Sequence, residues 1–424
     1  MNILVIGSGG REHAIIKTIK KSPAVDTIYA LPGNGGISAD AECFSIGAED
    51  IAGISEFASS HDIDFAVVAP DGALVAGVAD VLRGLGIPCF GPSKAAAIIE
   101  GSKVFSKDFM KKYDIPTAGY EVFSDPQAAL SYLESSNYPI VIKADGLALG
   151  KGVIIAEDKA QAVDAVKSVM EDKKFGESGN SIVIEEFLTG PEVSVLCFTD
   201  GVTLKPMMSS MDHKRAFDGD KGLNTGGMGV VAPNPHYTEP IAKQCMETIF
   251  LPTIKGMESE GRSFSGCLYF GLMLTANGPK VIEYNCRFGD PETQAVLPLM
   301  QSDLLTVMQA CEEKTLAQTE VLFSESAAAC VILASGGYPE SYPTGFEISI
   351  ADTMDSMIFH AGTKCQGDKL VTAGGRVLAV TAVADSLETA LEKAYVSVKE
   401  INFTGMFYRK DIGKKAMPLK RQEI

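Results

Sequence analysis

Apolar runs alternate with amphipathic stretches along the first hundred residues. The run NILVI is followed by the helix-patterned REHAIIKTIKK, and the strand-like TIYA and FAVVA precede a second helical stretch through Leu82. Strands that alternate with helices are typical of a parallel sheet covered by helices. The pattern closes near GIPCFGPS, and EGSKVFSKDFMKKYDIP then begins a new helix. We therefore predict an N-terminal parallel α/β domain over residues 1–101.

The alternation resumes in the second hundred residues and then gives way to β-rich segments. Helical stretches near 126–135 and 158–171 enclose the strand-like PIVIKA and GVIIA, and SIVIEEF follows. The polar, acidic segment at 312–326 is typical of a linker or a peripheral segment, and RVLAVTAVA and the amphipathic DSLETALEKAYVSVKEI come after it. We predict a second domain over residues 102–311 and a small C-terminal domain over 325–424, in a mixed α/β (α+β) fold.

The charge of the chain restricts its partners. Its 424 residues include 37 lysines and arginines against 54 acidic residues, a formal net charge of −17, and no block of five like charges occurs. We therefore expect no nucleic-acid partner. An acidic surface repels phosphorylated substrates, so a phosphate site requires a local concentration of lysine, arginine and backbone N–H groups.

The cysteines and the hydropathy pattern indicate the cellular compartment of the protein. Nine cysteines are scattered without a C-x-x-C pair, which is typical of a reduced cytosolic protein, and we expect all nine to be packing residues. The start MNILVIGSGG carries no basic leader, and no stretch approaches eighteen apolar residues. We expect a cytoplasmic protein with no membrane partner.

A glycine-rich, lysine-rich loop reads KADGLALGKG at residues 143–152. Glycines let backbone N–H groups approach an anion, and lysine supplies positive charge. The P-loop motif would need glycine at Asp145 and a hydroxyl at Gly152, so the loop is not a P-loop. It lies between two predicted strands, which leaves open a phosphate cradle or a lysine-bearing hairpin.

A second glycine turn, IGSGGREH, follows the first predicted strand. A dinucleotide-binding fingerprint would require a last glycine where Glu12 stands, which argues against NAD. A helix N-terminus with glycines still suits a single phosphate, which Arg11 could clamp, and a structural turn is the alternative. His13 has no visible partner and is expected to be structural.

Two further segments carry ligand-type residues. In IVIEEFLTGPEVSV, residues 182–195, backbone groups could face a base edge and Glu192 could face ribose hydroxyls, with an acidic hairpin as the alternative. In MDHKRAFDGDKGLNTGGMG, residues 211–229, a charged run precedes a glycine cluster. That concentration of glycine favours a loop shaped around a small ligand over a solvated surface loop.

The segment KVIEYNCRFGDPETQ, residues 280–294, carries metal-type residues. On an extended strand, Glu283, Asn285 and Arg287 share one face, and Val281 is expected deeper on the same face. Mg²⁺ takes hard oxygen ligands and usually accepts only one or two from the protein. Arg287 could neutralise a transferring phosphoryl group. The alternative is a polar face on an exposed strand.

Together these motifs closely resemble the glycinamide ribonucleotide synthetase family of ATP-grasp ligases. The resemblance spans nearly the whole chain and rests on GREHA, LPGN, FGPSKAAAIIEGSK, IPTA, IKADGLALGKGV, VIEEFL, DHKRAFDGDKG, NTGGMG, GLM and EYNCRFGDPETQ, and then on FHAGT, GGRVL and RKDIG. It implies an ATP-grasp core of two subdomains, with a mobile lid at about 120–190 whose KADGLALGKG loop closes over ATP phosphates.

The resemblance also implies a reaction. Glycine would be joined to 5-phosphoribosylamine with ATP through a glycyl phosphate, giving glycinamide ribonucleotide, ADP and phosphate in purine synthesis. Such chemistry needs alignment and charge neutralisation rather than a Ser or Cys nucleophile. The expected cofactors are ATP and Mg²⁺, with Mn²⁺ as an alternative metal, and the expected assembly is a monomer.

Carried over by resemblance, the expected site residues fall into four groups. Arg287, Asp212 and Lys143 would be catalytic, and Glu283 and Asn285 would bind the metal. The residues expected at ATP are Lys103, Lys143, Gly150, Gly152, Glu185, Glu186, Phe187, Leu188 and Glu192. Those expected around glycine and phosphoribosylamine are Gly9, Gly10, Arg11, Asn34, Asp71, Asp212, Lys214, Asn224, Thr225, Gly226, Gly227, Arg287, Asp290 and Pro291.

The chain departs from the family pattern in a few positions. It reads APDGALV where the family usually has GPE-x-P-L, so Asp71 offers a carboxylate one methylene shorter. Leu149 and Leu223 also replace the residues expected there. Two alternative functions stay open: another ATP-grasp ligase or carboxylase, and a non-catalytic nucleotide sensor.

Overall fold

The first hundred residues form a parallel five-stranded sheet, as their alternating pattern predicts. The computed structural model describes residues 1–147, 152–351 and 355–417. The sheet order is β3-β2-β1-β4-β5. Both faces of its central strands are buried, which explains their continuous apolar sequences. The elements are β1 (Asn2–Gly7), α1 (Gly10–Ile19), β2 (Thr27–Pro32), β3 (Glu42–Cys43), α2 (Ile51–Ser60), β4 (Phe65–Val68), α3 (Asp71–Ala76), α4 (Val78–Gly84) and β5 (Cys89–Phe90).

The order of this sheet reverses between β1 and β4. Ligands of open α/β sheets bind beyond the carboxyl ends of the strands at such a reversal. The turn with Gly9 and Gly10 follows β1, and Asp71 follows β4. The fold therefore brings two distant predicted segments to one edge of the sheet.

A second, antiparallel sheet follows, in the order β6-β9-β7-β8. It has its own apolar core, which includes Leu133, Ile142, Val166 and Ile184. The KADGLALGKG segment joins two paired strands, β7 and β8, as predicted. The elements are α5 (Lys94–Gly101), α6 (Lys103–Lys112), β6 (Tyr120–Phe123), α7 (Pro126–Leu133), β7 (Ile140–Ala144), β8 (Val153–Ala156), α8 (Lys159–Val166), which continues as a π-helical segment (Lys167–Glu171), and β9 (Ile182–Glu186).

A third sheet, β11-β10-β16-β17, packs its core against helices α9 and α10. These two helices are joined by a π-helical segment, Met246–Phe250. The elements of this region are β10 (Glu192–Asp200), β11 (Leu204–Pro206), β12 (Met211–Asp212), β13 (Arg215–Phe217), β14 (Lys221–Asn224), β15 (Gly229–Ala232), α9 (Glu239–Cys245), α10 (Leu251–Ser259), β16 (Ser265–Thr275), β17 (Gly278–Asn285), α11 (Glu292–Val296) and α12 (Leu304–Glu312).

One expectation about β17 is wrong. Val281 was expected on the same face as Glu283, but the pairing with β16 shifts at a bulge: Gly271 faces Glu283, and Leu272 faces Val281. The extra residue reverses the alternation of side chains. Val281 therefore lies fully buried in the core, while Glu283 and Asn285 are turned to the opposite side.

The C-terminal sheet draws strands from two parts of the chain. Its order is β12-β15-β18-β23-β20, so the polar segment 211–229 begins and ends in strands paired within this sheet. The elements are β18 (Ala327–Ala334), β19 (Ser349–Ile350), β20 (Met357–His360), β21 (Thr363–Gln366), β22 (Lys369–Thr372), β23 (Arg376–Ala384), α13 (Leu387–Val398) and β24 (Ile401–Asn402). The predicted helix after RVLAVTAVA is α13.

Two further expectations can be compared with the structure. Among the residues described, no helix combines the length and the apolar composition that a bilayer crossing requires. Seven of the nine cysteines are buried, as expected for packing residues, and Cys43 is half-buried. Cys365 is exposed, so the expectation that all nine pack is wrong there.

Candidate functional site

A cavity of about 590 Å³ opens where the second sheet (β6-β9-β7-β8), the third sheet and the polar segment 211–229 meet. Its lining comes from segments that are far apart in the chain. It brings together most of the sequence-predicted residues: Asp71, Lys103, Lys143, Gly152, Glu185, Glu186, Phe187, Leu188, Glu192, Asp212, Lys214, Asn224, Thr225, Gly226, Glu283, Asn285, Arg287 and Asp290.

Seven predicted residues are not part of this lining. Six of them are described by the structure but lie outside the lining: Gly9, Gly10, Arg11, Asn34, Gly227 and Pro291. The seventh, Gly150, lies outside the described residues.

The glycine turn after β1 packs directly on the GDPETQ segment. A Cβ placed on Gly10 would lie 2.6 Å from Nε2 of Gln294, so a larger residue there would require this amide to shift. Glu12 accepts a hydrogen bond from the N–H of Gly9 at 2.6 Å and pairs with Nε of Arg11 at 2.6 Å. Arg11 also donates to the carbonyl of Phe288 at 3.2 Å. Glu12, the residue that argues against NAD, thus stabilises this helix N-terminus and orients Arg11.

Asn34 and His13 connect the N-terminal and C-terminal regions. Nδ2 of Asn34 donates to the carbonyls of Ser8 and His360, both at 2.8 Å, and Oδ1 accepts from two backbone N–H groups. His13 accepts from the N–H of His360 at 2.8 Å and contacts Asp40 at 3.1 Å. Burial lowers the pKa of His13, so its neutral form is favoured. The expected structural role of His13 fits these contacts.

Two lysines, one on α6 and one on β7, line the cavity between the second and third sheets. Nζ of Lys103 donates to the carbonyl of Gly146 in the glycine-rich loop at 2.5 Å. Nζ of Lys143 donates to the carbonyl of Ile282 at 3.0 Å and lies 2.9 Å from Oε1 of Glu185. Burial lowers the pKa of Lys103, although Glu283 partly offsets this effect. Both ammonium groups border the same cavity.

The carboxylates of the 185–188 segment form ion pairs with lysines, although Oε1 of Glu185 has no hydrogen-bond partner among the described residues. Glu185 pairs with Lys143 and with Lys107, whose Nζ lies 3.1 Å from Oε2. Glu186 accepts from the N–H of Gly119 at 3.1 Å and lies 3.5 Å from Lys280. Contacts from this segment to a base would therefore come from its backbone. Sequence reasoning missed Lys107, although it follows Lys103 by four residues on one helix face.

Glu283 and Asn285 present an acid and an amide two residues apart on β17. Burial raises the pKa of Glu283, but Lys214, Lys143 and Lys103 outweigh it and hold the pKa below its usual value. The described residues contain no cluster of three or more His, Cys, Asp or Glu side chains suited to a metal. A hard cation that takes most of its ligands from phosphates and water fits this pair, and Mg²⁺ is such an ion.

Arg287 follows that pair, two residues after Asn285. Nη2 is 2.9 Å from Oε1 of Glu100, whose Oε2 accepts from the N–H of Cys286 at 2.7 Å. Within the described residues, Nε of Arg287 is buried without a hydrogen-bond partner. Such an orphan donor is expected to meet a ligand oxygen. Sequence reasoning missed Glu100, because its pairing with Arg287 arises only in the fold.

Acidic groups face the cavity on its other side. Burial and the nearby Glu292 raise the pKa of Asp212 well above its usual value. Glu292 is buried and accepts from Oγ of Ser194 at 3.1 Å. Lys214 lies 3.3 Å from Glu192 and 3.7 Å from Glu283, and Glu192 contributes most to raising its pKa. Glu292, in GDPETQ, carried no separate signal in the sequence.

The NTGGMG loop is held by Arg376 of β23. Nη1 of Arg376 donates to the carbonyl of Gly226 at 2.7 Å and to that of Asp290 at 2.9 Å. Its Nη2 lies 3.3 Å from Oδ1 of Asp290. The N–H of Gly227 donates to Oγ1 of Thr225 at 2.9 Å. A C-terminal arginine thus fixes two cavity loops relative to each other.

Comparison with known proteins assigns the chain to a family. It matches three domains of one family in order: the phosphoribosylglycinamide synthetase N domain at residues 1–100, the ATP-grasp (A) domain at 101–293 and the C domain at 328–415. The chain belongs to the phosphoribosylglycinamide synthetase family.

Phosphoribosylglycinamide synthetase relatives match along nearly the whole chain. The phosphoribosylamine–glycine ligase of Clostridium acetobutylicum is 47% identical over 414 residues, covering 98% of this chain and 100% of that protein. The trifunctional purine biosynthetic protein adenosine-3 of Gallus gallus is 48% identical over 422 residues, and the chain spans 42% of its length.

Solved structures agree with membership in the phosphoribosylglycinamide synthetase family. The phosphoribosylamine–glycine ligase of Thermotoga maritima superposes with a TM-score of 0.87 and 34% identity, covering 97% of this chain and 100% of that one. A biotin carboxylase of Campylobacter jejuni has a TM-score of 0.73 at 15% identity, covering 96% of this chain and 92% of that one. The second similarity shows the ATP-grasp fold alone. Both agree with the fold class predicted from the sequence.

Proposed function

We propose that the chain joins glycine to 5-phosphoribosylamine with ATP, giving glycinamide ribonucleotide, ADP and phosphate in purine biosynthesis. One observation carries this proposal. A single cavity gathers an acid–amide pair suited to Mg²⁺, two lysines and an arginine whose Nε has no hydrogen-bond partner among the described residues, in a chain of the matching family. That combination suits the transfer of a phosphoryl group to a carboxylate.

The chemistry follows from the low reactivity of a carboxylate. The glycine carboxylate attacks the γ-phosphorus of ATP to give glycyl phosphate and ADP. The amine nitrogen of phosphoribosylamine then attacks the activated carbonyl and displaces phosphate. Neither step requires a nucleophilic side chain, because the protein supplies alignment and charge neutralisation.

We assign the nucleotide to the lid side of the cavity. Lys103 and Lys143 would hold phosphates, and the backbone of residues 185–188 would meet the adenine edge, beside the apolar side chains of Phe187 and Leu188. Glu192 would accept from ribose hydroxyls, as its exposed position permits. The glycine-rich loop with Gly150 and Gly152 would cover the phosphates.

We assign the reacting groups to the strand β17 and the segment facing it. Glu283 and Asn285 would hold Mg²⁺, which, when bound, supplies positive charge at the phosphate oxygens. Nε of Arg287 would donate to the glycine carboxylate or the transferring phosphoryl group. Asp212 would accept from the glycine amine, with Lys214, Asn224, Thr225, Gly226 and Gly227 around it.

Phosphoribosylamine would occupy the edge of the N-terminal sheet. The α1 N-terminus at Gly9 and Gly10 suits its phosphate, near Arg11 and the turn at Asn34. Asp290, Pro291 and Asp71 border the path toward Arg287. Burial raises the pKa of Asp71, but Arg287 and Arg11 outweigh it, so the shorter carboxylate stays ionised.

The proposal extends to the assembly, compartment, metal and domain organisation of the protein. We infer a monomeric cytoplasmic enzyme in which Mn²⁺ can replace Mg²⁺. We also infer an N-terminal domain at 1–101, an ATP-grasp domain at 102–311 with a mobile lid at about 120–190, and a C-terminal domain at 325–424. The separate apolar core of the lid sheet supports rigid-body motion of this lid.

Release of ADP with each substrate omitted in turn tests the function. We expect ADP only when glycine and phosphoribosylamine are both present, since an aligned carboxylate and a closed lid are required. AMP and pyrophosphate as products would refute the mechanism. Bicarbonate in place of glycine is the control, and turnover that depends on bicarbonate would indicate a carboxylase instead.

A further inference from the structure

Three charged side chains form a buried cluster at the lid side of the cavity. Oε2 of Glu185 lies 3.1 Å from Nζ of Lys107, and Oε1 lies 2.9 Å from Nζ of Lys143. The three side chains are only 3–5% exposed. They come from α6, β7 and β9, so the cluster forms only when the lid sheet packs on α6.

The charges of this cluster do not cancel. Two ammonium groups share one carboxylate, which leaves one net positive charge in a buried place. The other hydrogen bonds of the lysines go to neutral groups: Lys107 donates to Oγ1 of Thr117 at 2.8 Å, and Lys143 donates to the carbonyl of Ile282 at 3.0 Å. A buried charge without a partner is costly, so a bound anion is expected to compensate it.

We propose that Lys107 is a positioning residue of the nucleotide site: by sharing Glu185 it leaves Lys143 with net positive charge for a phosphate of ATP. This inference rests on the proposed function, which places ATP beside Lys143. Without Lys107, the pair of Lys143 and Glu185 would be neutral and would attract a phosphate far less. Lys107 thus acts through Glu185 rather than through the reacting atoms.

Affinity for ADP, measured by titration calorimetry on the full chain, tests the inference. Lys107→Met keeps the length of the side chain and removes its charge. We therefore expect the Kd to rise at least about tenfold, which corresponds to about 1.36 kcal/mol of binding free energy. Lys111→Met is the matched control, because Lys111 lies one turn further along α6 and is exposed. We expect it to leave the Kd unchanged.

A second substitution separates charge from packing. Lys107→Met combined with Glu185→Gln restores one positive charge, on Lys143, so the double variant should recover a Kd within about threefold of the wild type. A packing role predicts a double variant at least as weak as Lys107→Met. If Lys107→Met fails to fold, Lys107→Gln is the second variant: it also removes the charge but keeps a polar group beside Oγ1 of Thr117, and we expect the same rise in Kd.

The pH profile gives an independent readout. Burial, opposed by Glu185, lowers the pKa of Lys107 to about 8, and Lys143, Lys280 and the Tyr120 ring also face its ammonium. Above that pH the cluster loses its net charge, so wild-type affinity should fall, with no such step in Lys107→Met. Equal ADP affinity in the wild type and Lys107→Met would overturn this inference alone. A wild type that binds no nucleotide would overturn the proposed function as well.

Discussion

Replacing Glu283 by Gln tests the assignment of the metal to β17. The substitution changes one oxygen to nitrogen and leaves the shape of the side chain nearly unchanged. Because Asn285 is neutral, Glu283 supplies all of the negative charge of the proposed ligand pair. The substitution changes the charge of the pair from −1 to 0, while Lys103, Lys143 and Lys214 remain beside residue 283.

The expected effects on stability and turnover differ in size. Within the chain, Glu283 pairs with Lys214 at 3.7 Å, and both side chains are about one-third exposed, at 35% and 31%. Such a pair contributes at most about 1 kcal/mol to stability, which corresponds to a Tm change of no more than about 4 °C. Loss of a charged metal ligand costs several kcal/mol in the transition state, so we expect at least about a hundredfold lower kcat.

ADP release across a Mg²⁺ titration, together with a melting curve, measures both quantities. Raising Mg²⁺ should restore part of the lost rate. Glu347→Gln is the matched control, since Glu347 forms an exposed pair with Lys369 at 2.6 Å away from the cavity, and it should leave turnover unchanged. A near-normal rate for Glu283→Gln at limiting Mg²⁺, with an unchanged Tm, would refute the metal assignment.

Two further predictions concern the segment 211–229. Gly227 has a φ of +113°, and in Gly227→Ala the new Cβ would lie 2.4 Å from Pro291 and 2.6 Å from Oδ1 of Asp212. We therefore expect kcat/KM for glycine to fall at least about tenfold, which corresponds to about 1.36 kcal/mol of activation free energy. Gly345→Ala, also at positive φ but in open space, should not reduce kcat/KM, and an equal loss there would contradict the argument. Burial lowers the pKa of His213 from 6.5 to about 4, so the unfolded state takes up a proton that the folded state excludes. Urea denaturation at pH 7 and at pH 4.5 measures the unfolding free energy that each protein loses on acidification. We expect this loss to be about 2 kcal/mol larger in the wild type than in His213→Gln, and equal losses would refute the assignment to His213.

The sequence by itself determined the kinds of elements and most of the candidate site. The continuous apolar runs of β1 and β4 and the helical period of α13 follow from residues adjacent in the chain. The cavity also contains most of the residues that were named from motifs, such as Lys143 and Glu283. Side-chain type and local spacing, which create these signals, are fixed by covalent order.

Only the tertiary structure decided which groups meet and which carry charge. Glu100 pairs with Arg287, and Lys107 shares Glu185 with Lys143, across separations that leave no periodic signal. The sequence spacing predicted Val281 on the same face as Glu283, but the bulge in β17 places Val281 in the core, because pairing with β16 sets the register. Strands β12 and β15 joined the C-terminal sheet, although the chain reaches β18 only about a hundred residues later. Each outcome depends on packing and hydrogen bonding between distant segments, whose free energies are not encoded in any short stretch of sequence.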